Sequence, residues 1–215
     1  MSRTIRGDES NEYLDQDEEE LALDSLYLQL GLHAMKKEDW ETATASLTSY
    51  LEYDPEDALA YDRRGIAYGE SYYFDEAIED FNKAISIDEN FAGAYNNRGL
   101  SYYKKSMLDK AIADYNRAIE LSPDIAVFYH NRGLAHKHKG DLKAALRDYN
   151  KAIRLEPSLP ETHSNRGEIY AEMGNLQKSI ADFDRELAIN PNDLHAFASR
   201  VLACEMLNES QSQQQ

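Results

Sequence analysis

The sequence predicts an all-α, right-handed solenoid of antiparallel helix pairs, and three observations predict it. Glycines recur at Gly31, Gly65, Gly99, Gly133 and Gly167, always 34 residues apart. Pro55, Pro123, Pro157 and Pro191 keep the same lattice, as do Ala43, Ala77, Ala111, Ala145 and Ser179. Between these marks the apolar and aromatic residues recur at helical spacing. Each repeat is numbered below in slots 1–34, starting at Asp24, Ala58, Ala92, Ala126 and Pro160, with a partial sixth from Leu194.

The chain begins with an acidic flexible arm, residues 1–23. Residues 1–24 hold nine acids and two bases, too much charge and too little apolar surface to fold alone. Five repeats follow: 24–57, 58–91, 92–125, 126–159 and 160–193. In each, slots 4, 7, 8 and 11 fall within an arc of about 100° on a first helix, A. Slot 4 reads Tyr27, Tyr61, Tyr95, Tyr129 and His163, and slot 11 Ala34, Tyr68, Tyr102, His136 and Tyr170. Slots 17, 20, 24, 27 and 28 form the stripe of a second helix, B. Slot 24 reads Leu47, Phe81, Tyr115, Tyr149 and Phe183, so much of the chain's unusual tyrosine content is repeated packing. Turn formers such as Lys139-Gly140-Asp141 and Met173-Gly174-Asn175 separate A from B. The proline at slot 32 ends helix B. Slots 8 and 20 carry small residues, which let the two helices approach closely. Tyr50 and Glu186 replace alanine at slot 27, so the first and last repeats pack differently. Residues 194–207 read as a closing helix over the last apolar face. Residues 208–215 read as a disordered polar tail.

The formal net charge of −17 repels phosphate backbones and argues against nucleic-acid binding. No apolar run is long enough to insert in a membrane, and no secretory signal is visible. One cysteine, Cys204, suits a reducing compartment, so a cytoplasmic location is expected. There is no phosphate loop, zinc motif or nucleophile elbow, and the repeat lattice leaves no room for a separate catalytic domain. The expectation is a non-enzyme without cofactor or metal.

The pattern Tyr95-x2-Arg98-Gly99-x2-Tyr102, Ala111-x3-Tyr115 and Pro123 resembles the tetratricopeptide repeat family, with Tyr for Trp and Arg for Leu. The resemblance covers residues 24–193. It implies that slots 2, 5, 6, 9, 12 and 13, opposite the packing stripe, line a concave groove that holds partner peptides. Slot 6 supplies Arg63 and a ladder of Asn97, Asn131 and Asn165, whose amides can bond a ligand backbone whatever its side chains. This ladder is similar to that in the repeat domain of O-linked N-acetylglucosamine transferases. Leu28, Leu32, Ile66, Leu100, Tyr103 and Leu134 give the groove an apolar N-terminal stretch. Glu168 and Glu172 give it an acidic C-terminal one, suited to basic residues of a partner. The two-carboxylate clamp known in the family needs lysines and arginines that no frame of this groove supplies.

Slot 7 reads Arg64, Arg98, Arg132, Arg166 and Arg200, and slot 23 Asp80, Asp114, Asp148 and Asp182. Both slots flank packing stripes, so Arg–Asp pairs are expected, either within repeats or between them. The function expected is a scaffold or adaptor that binds a peptide or helical segment, with a monomer favoured. The alternatives are a dedicated chaperone for a secreted or membrane-protein client, and a self-assembling module.

Overall fold

In a computed structural model, the backbone of residues 16–212 and the side chains of residue 23 and of 25–212 are described. Residues 1–15 of the arm and 213–215 of the tail lie outside them. Five antiparallel pairs follow one another: α1 (Gln16–Lys36) with α2 (Trp40–Tyr53), α3 (Ala58–Glu70) with α4 (Phe74–Ile87), α5 (Ala92–Lys104) with α6 (Leu108–Leu121), α7 (Ala126–His138) with α8 (Leu142–Leu155), and α9 (Thr162–Glu172) with α10 (Leu176–Ile189). A single helix, α11 (Leu194–Ser212), follows. Each odd-numbered helix touches the next odd-numbered one, whereas no even-numbered helix touches the next even-numbered one. The odd-numbered, A, helices therefore lie on the inner side of the curve.

Two boundaries differ from those the lattice sets. Helix α1 takes in residues 16–23 of the arm, and α11 takes in 208–212 of the tail. Neither stretch contains glycine or proline, so an existing helix extends one hydrogen bond per residue. The acids at the start of α1 also suit the positive end of its dipole.

Close approach inside each pair rests on slot 8. The ring or branch at slot 24 fills the place of the missing side chain: a Cβ on Gly65 would stand 2.7 Å from Phe81, and on Gly99 2.8 Å from Tyr115. Leu47, Phe81, Tyr115, Tyr149 and Phe183 are accordingly buried, as are the small residues of slot 20. The two exceptions at slot 27 each reach an A helix, Tyr50 the one that follows it and Glu186 the one before it. The Tyr50 hydroxyl donates to Asp57, the N-cap of α3, at 2.9 Å. The buried Glu186 carboxylate accepts from the backbone N–H of Glu161 at 2.8 Å and of Ser164 at 3.4 Å, capping α9.

Every A–B turn needs a left-handed residue at slot 15: Glu38, Tyr72 and Ser106 have φ of 58°, 65° and 60°, and Gly140 and Gly174 have 85° and 75°. This geometry lets the slot 16 N–H return to the slot 11 carbonyl, as in Tyr73 to Tyr68 at 2.9 Å. A residue with a Cβ costs about 1 kcal/mol there relative to glycine.

The arginine ladder pairs within repeats. Arg64, Arg98, Arg132 and Arg166 each direct Nε and Nη2 at the carboxylate sixteen residues later, at 2.7–2.9 Å. The third nitrogen, Nη1, crosses to the preceding repeat and donates to Thr48, Asn82, Asn116 or Asn150. Rings of Tyr61, Tyr95 and Tyr129 face the guanidiniums at 5.4–5.7 Å. One arginine thus ties both helices of its own pair to the pair before it. Arg200, on α11, pairs with Asp184 of the preceding helix. Burial pushes the Asp182 carboxyl up, but hydrogen bonds from Arg166 and His163 outweigh it and hold the pKa at about 2.

Candidate functional site: the inner face

The A helices place slot 6 and slot 9 side by side on the inner face, but slot 5 turns inward. Asp62, Asn96, His130 and Ser164 are buried. This corrects the arc drawn from helical angles alone, because the neighbouring A helix covers one edge of it. Slot 5 also engages the amide ladder. Asn97 Nδ2 donates to Asp62 at 2.8 Å, and Asn131 Nδ2 donates to Asn96 at 2.9 Å. Asn165 Nδ2 donates to the Glu161 carbonyl at 3.0 Å, while its oxygen accepts from Lys137 at 3.2 Å. The ladder therefore holds successive A helices together. A primary amide has two N–H groups, and one on each asparagine has no partner among the described residues, nor has the Asn131 oxygen.

The apolar residues divide in two. Leu28 packs with Tyr50, Leu51 and Ala60, Tyr103 with Tyr115 and Ala135, and Leu134 with Tyr149 and Ile169. They belong largely to the core between repeats. Tyr103 also stacks on His138 and shares a 2.6 Å hydrogen bond with its Nδ1. Leu32 and Leu100 are exposed, and Ile66 is half-buried. Ile66 and Leu100 line a hollow of ≈ 380 Å³ with Phe74, Asn97, Ser101 and Lys104. Arg63 is half-buried and makes no ion pair among the described residues.

At the other end, Glu168 is already engaged. Lys137 and His195 both contact its carboxylate. Burial raises its pKa, but the hydrogen bonds from His195 and Lys137 win and lower it overall. Glu172 remains exposed, as do Glu161 and Glu205. Sequence spacing missed Lys137 as the partner of Glu168, because the two are 31 positions apart. The visible signal was that slot 12 of one repeat lies beside slot 9 of the next.

Among the described residues, no cluster of His, Cys, Asp and Glu could hold a metal, and no helix is long and apolar enough to cross a membrane. His130 is buried, with Nδ1 2.8 Å from the Thr162 hydroxyl, and burial lowers its pKa to about 4.

Models of the tetratricopeptide repeat match residues 92–125 and 160–193, and a further model of the same repeat matches 74–106 and 137–174. Together they span 74–125 and 137–193, about half of the chain. Curated proteins give no sequence match. Solved structures share the fold. A Pseudomonas aeruginosa protein, pilF, is 19% identical with a TM-score of 0.78, over 90% of this chain and 88% of that one. MamA from Desulfovibrio magneticus RS-1 is 18% identical with a TM-score of 0.70, over 80% and 97%. YrrB, described as a TPR protein with an unusual peptide-binding site, is 23% identical with a TM-score of 0.65, over 86% and 96%.

Proposed function

The chain belongs to the tetratricopeptide repeat family, and from that premise we propose that it is a non-enzymatic adaptor whose inner face takes an extended or helical segment of a protein partner. The observation that carries this reading is the apolar hollow on the inner face between Ile66 and Leu100. Leu100 stays 37% exposed there, as does Leu32 at the same slot of the first repeat. The free amide N–H groups of Asn97, Asn131 and Asn165 stand beside this stretch and suit a ligand's main chain. Arg63 and Glu172 mark its two ends. In this reading Leu32, Ile66 and Leu100 are the anchoring surface, and Leu28, Tyr103 and Leu134 support it from beneath.

Affinity capture with the wild-type chain and with an Ile66→Ser/Leu100→Ser variant tests the reading. The variant is expected to lose the captured partner while keeping its helical circular dichroism. Equal capture by both proteins would overturn it.

Self-association is a second reading, and one observation favours it. Helix α11 buries Ala196 and Ala203 against the array but leaves Leu194 82% and Phe197 56% exposed. Light scattering that gives one monomer mass across a wide concentration range would remove it.

A further inference from the structure

The turn between α3 and α4 departs from its four counterparts. Slots 15 and 16 read Glu38-Asp39, Ser106-Met107, Gly140-Asp141 and Gly174-Asn175 elsewhere, but Tyr72-Tyr73 here. Tyr72 holds the left-handed conformation, with φ 65°, and its side chain is 82% exposed. The turn does not need a bulky ring at that position, and the ring packs only edge to face on Phe74 among the described aromatic residues, with centroids 6.0 Å apart. Its neighbour Tyr73 is also exposed. The pair forms an aromatic ridge at the edge of the array.

A hollow lies on each side of the ridge. On one side is the ≈ 380 Å³ hollow of Ile66, Phe74 and Leu100, which Tyr72 also lines. On the other is a hollow of ≈ 490 Å³ lined by Glu41, Thr44, Tyr68, Ser71 and Tyr73. There Tyr68 and Tyr73 meet edge to face, with ring centroids 6.5 Å apart. The Arg64 guanidinium stands 6.0 Å from the Tyr68 ring, so this ring already attracts one cation. Two tyrosine rings and the exposed Glu41 carboxylate form a lining that suits an ammonium or guanidinium group. The surroundings reinforce the sign. Residues 24–91 hold sixteen acids and five bases, whereas residues 92–159 hold seven acids and twelve bases. The first hollow is lined by Glu70 and Lys104, whose charges offset each other around an apolar floor, whereas the second has the Glu41 carboxylate and no lysine or arginine in its lining.

We propose that the Tyr72–Tyr73 ridge is a docking site for a cationic protein segment, which seats an apolar side chain between Ile66 and Leu100 and a lysine or arginine between Tyr68, Tyr73 and Glu41. The proposal rests on the reading that the inner face binds a partner segment, and it names the chemistry of that segment.

The test is an NMR titration of the ¹⁵N-labelled full chain with acetylated, amidated tripeptides Leu-Gly-Arg, Ser-Gly-Arg and Leu-Gly-Glu. Leu-Gly-Arg is expected to shift the amides of Glu41, Thr44, Tyr68, Tyr73 and Leu100. Ser-Gly-Arg should shift this set without Leu100, and Leu-Gly-Glu should leave Glu41 and Tyr73 unmoved. Glu41→Gln and Tyr73→Ala should each weaken Leu-Gly-Arg binding about three- to fivefold. Tyr72→Gly should weaken it too, while raising the melting temperature by about 2–4 °C through relief of the turn. That opposite movement separates lost binding from lost folding. Equal responses to Leu-Gly-Arg and Leu-Gly-Glu, or a Tyr72→Gly variant with full affinity, would overturn the proposal. In the Asn97/Asn131/Asn165→Ala variant the ridge response should persist. A persisting ridge response without partner capture by the wild-type chain refutes the inner-face reading alone. Capture by the wild-type chain with no ridge response refutes the ridge alone.

Discussion

Replacing each slot 8 glycine by alanine sets two opposed effects against each other. Alanine in a helix is favoured over glycine by about 1 kcal/mol. Against this stands the space that the new methyl group would enter. In Gly99→Ala the Cβ would stand 2.8 Å from Tyr115 Cε1 and 3.3 Å from the Ala111 carbonyl oxygen. Tyr115 is buried and cannot swing away, and backbone oxygen does not yield. Overpacking of this kind costs about 1–3 kcal/mol. Gly99→Ala and Gly65→Ala should therefore be destabilised by about 0–2 kcal/mol after the helix gain is subtracted. Gly167 is looser, since its Cβ would meet Phe183 at 3.2 Å and Asp182 at 3.3 Å. There the two effects nearly cancel, and stability should stay within about 0.5 kcal/mol of wild type. Gly69 is the control: it is helical and nothing lies within 4 Å of its Cβ position. Gly69→Ala should stabilise the chain by about 0.5–1 kcal/mol. Urea midpoints of the four variants at a common slope measure the series. If Gly65→Ala and Gly99→Ala match Gly69→Ala in stability, close helix approach is not what selects glycine at slot 8.

Two further outcomes are expected. In a double-mutant cycle, Arg132 and Asp148 should couple by about 2 kcal/mol, because two short charge-assisted bonds join partners that are largely shielded from water. Arg132→Lys should lose most of that coupling, since an ammonium cannot form the paired bond, and retention of full coupling in urea titrations would contradict the two-pronged geometry. Buried His130, with a folded pKa of about 4 against 6.5 in the unfolded chain, contributes stability that is present above pH 6.5 and lost as pH falls through 4. The loss should reach about 3 kcal/mol, and His130→Gln should flatten it; an unchanged slope of midpoint against pH in that window would show that another group titrates.

Much of the architecture is legible in one sequence because the repeats test one another. A single glycine is a weak signal, but five at one spacing, with prolines and alanines in phase, fix both the period and the alternation of helix and turn. The Arg–Asp pairing was also visible, since both slots recur. Its connectivity was not, because two registers satisfy the same composition, and only the distance between neighbouring helices selects the pairing within repeats. The inner face is less legible. Helical angles place a residue on one side of its own helix, but say nothing of how far the adjacent A helix overlaps that side. For this reason slot 5 is buried from the second repeat to the fifth, and Asn97 and Asn131 bond slot 5 of the repeat before. The ridge at Tyr72 is not legible in the sequence for a related reason. A tyrosine among fifteen looks unremarkable until its backbone angle and exposure are known.

What the sequence by itself determined is periodic: the helix pairs, the small residues where they cross, the apolar stripes and the segregation of charge along the chain. These follow from local geometry, in which each slot sees the same neighbours in every repeat. What only the tertiary structure decided is relational. It settled that one arginine joins three helices, that Lys137 answers Glu168, that Glu186 caps the helix before it, and that two hollows flank an aromatic turn. Each of these depends on distances between residues sixteen or more positions apart, which the angle and tilt between packed helices set and the order of residues along one helix does not.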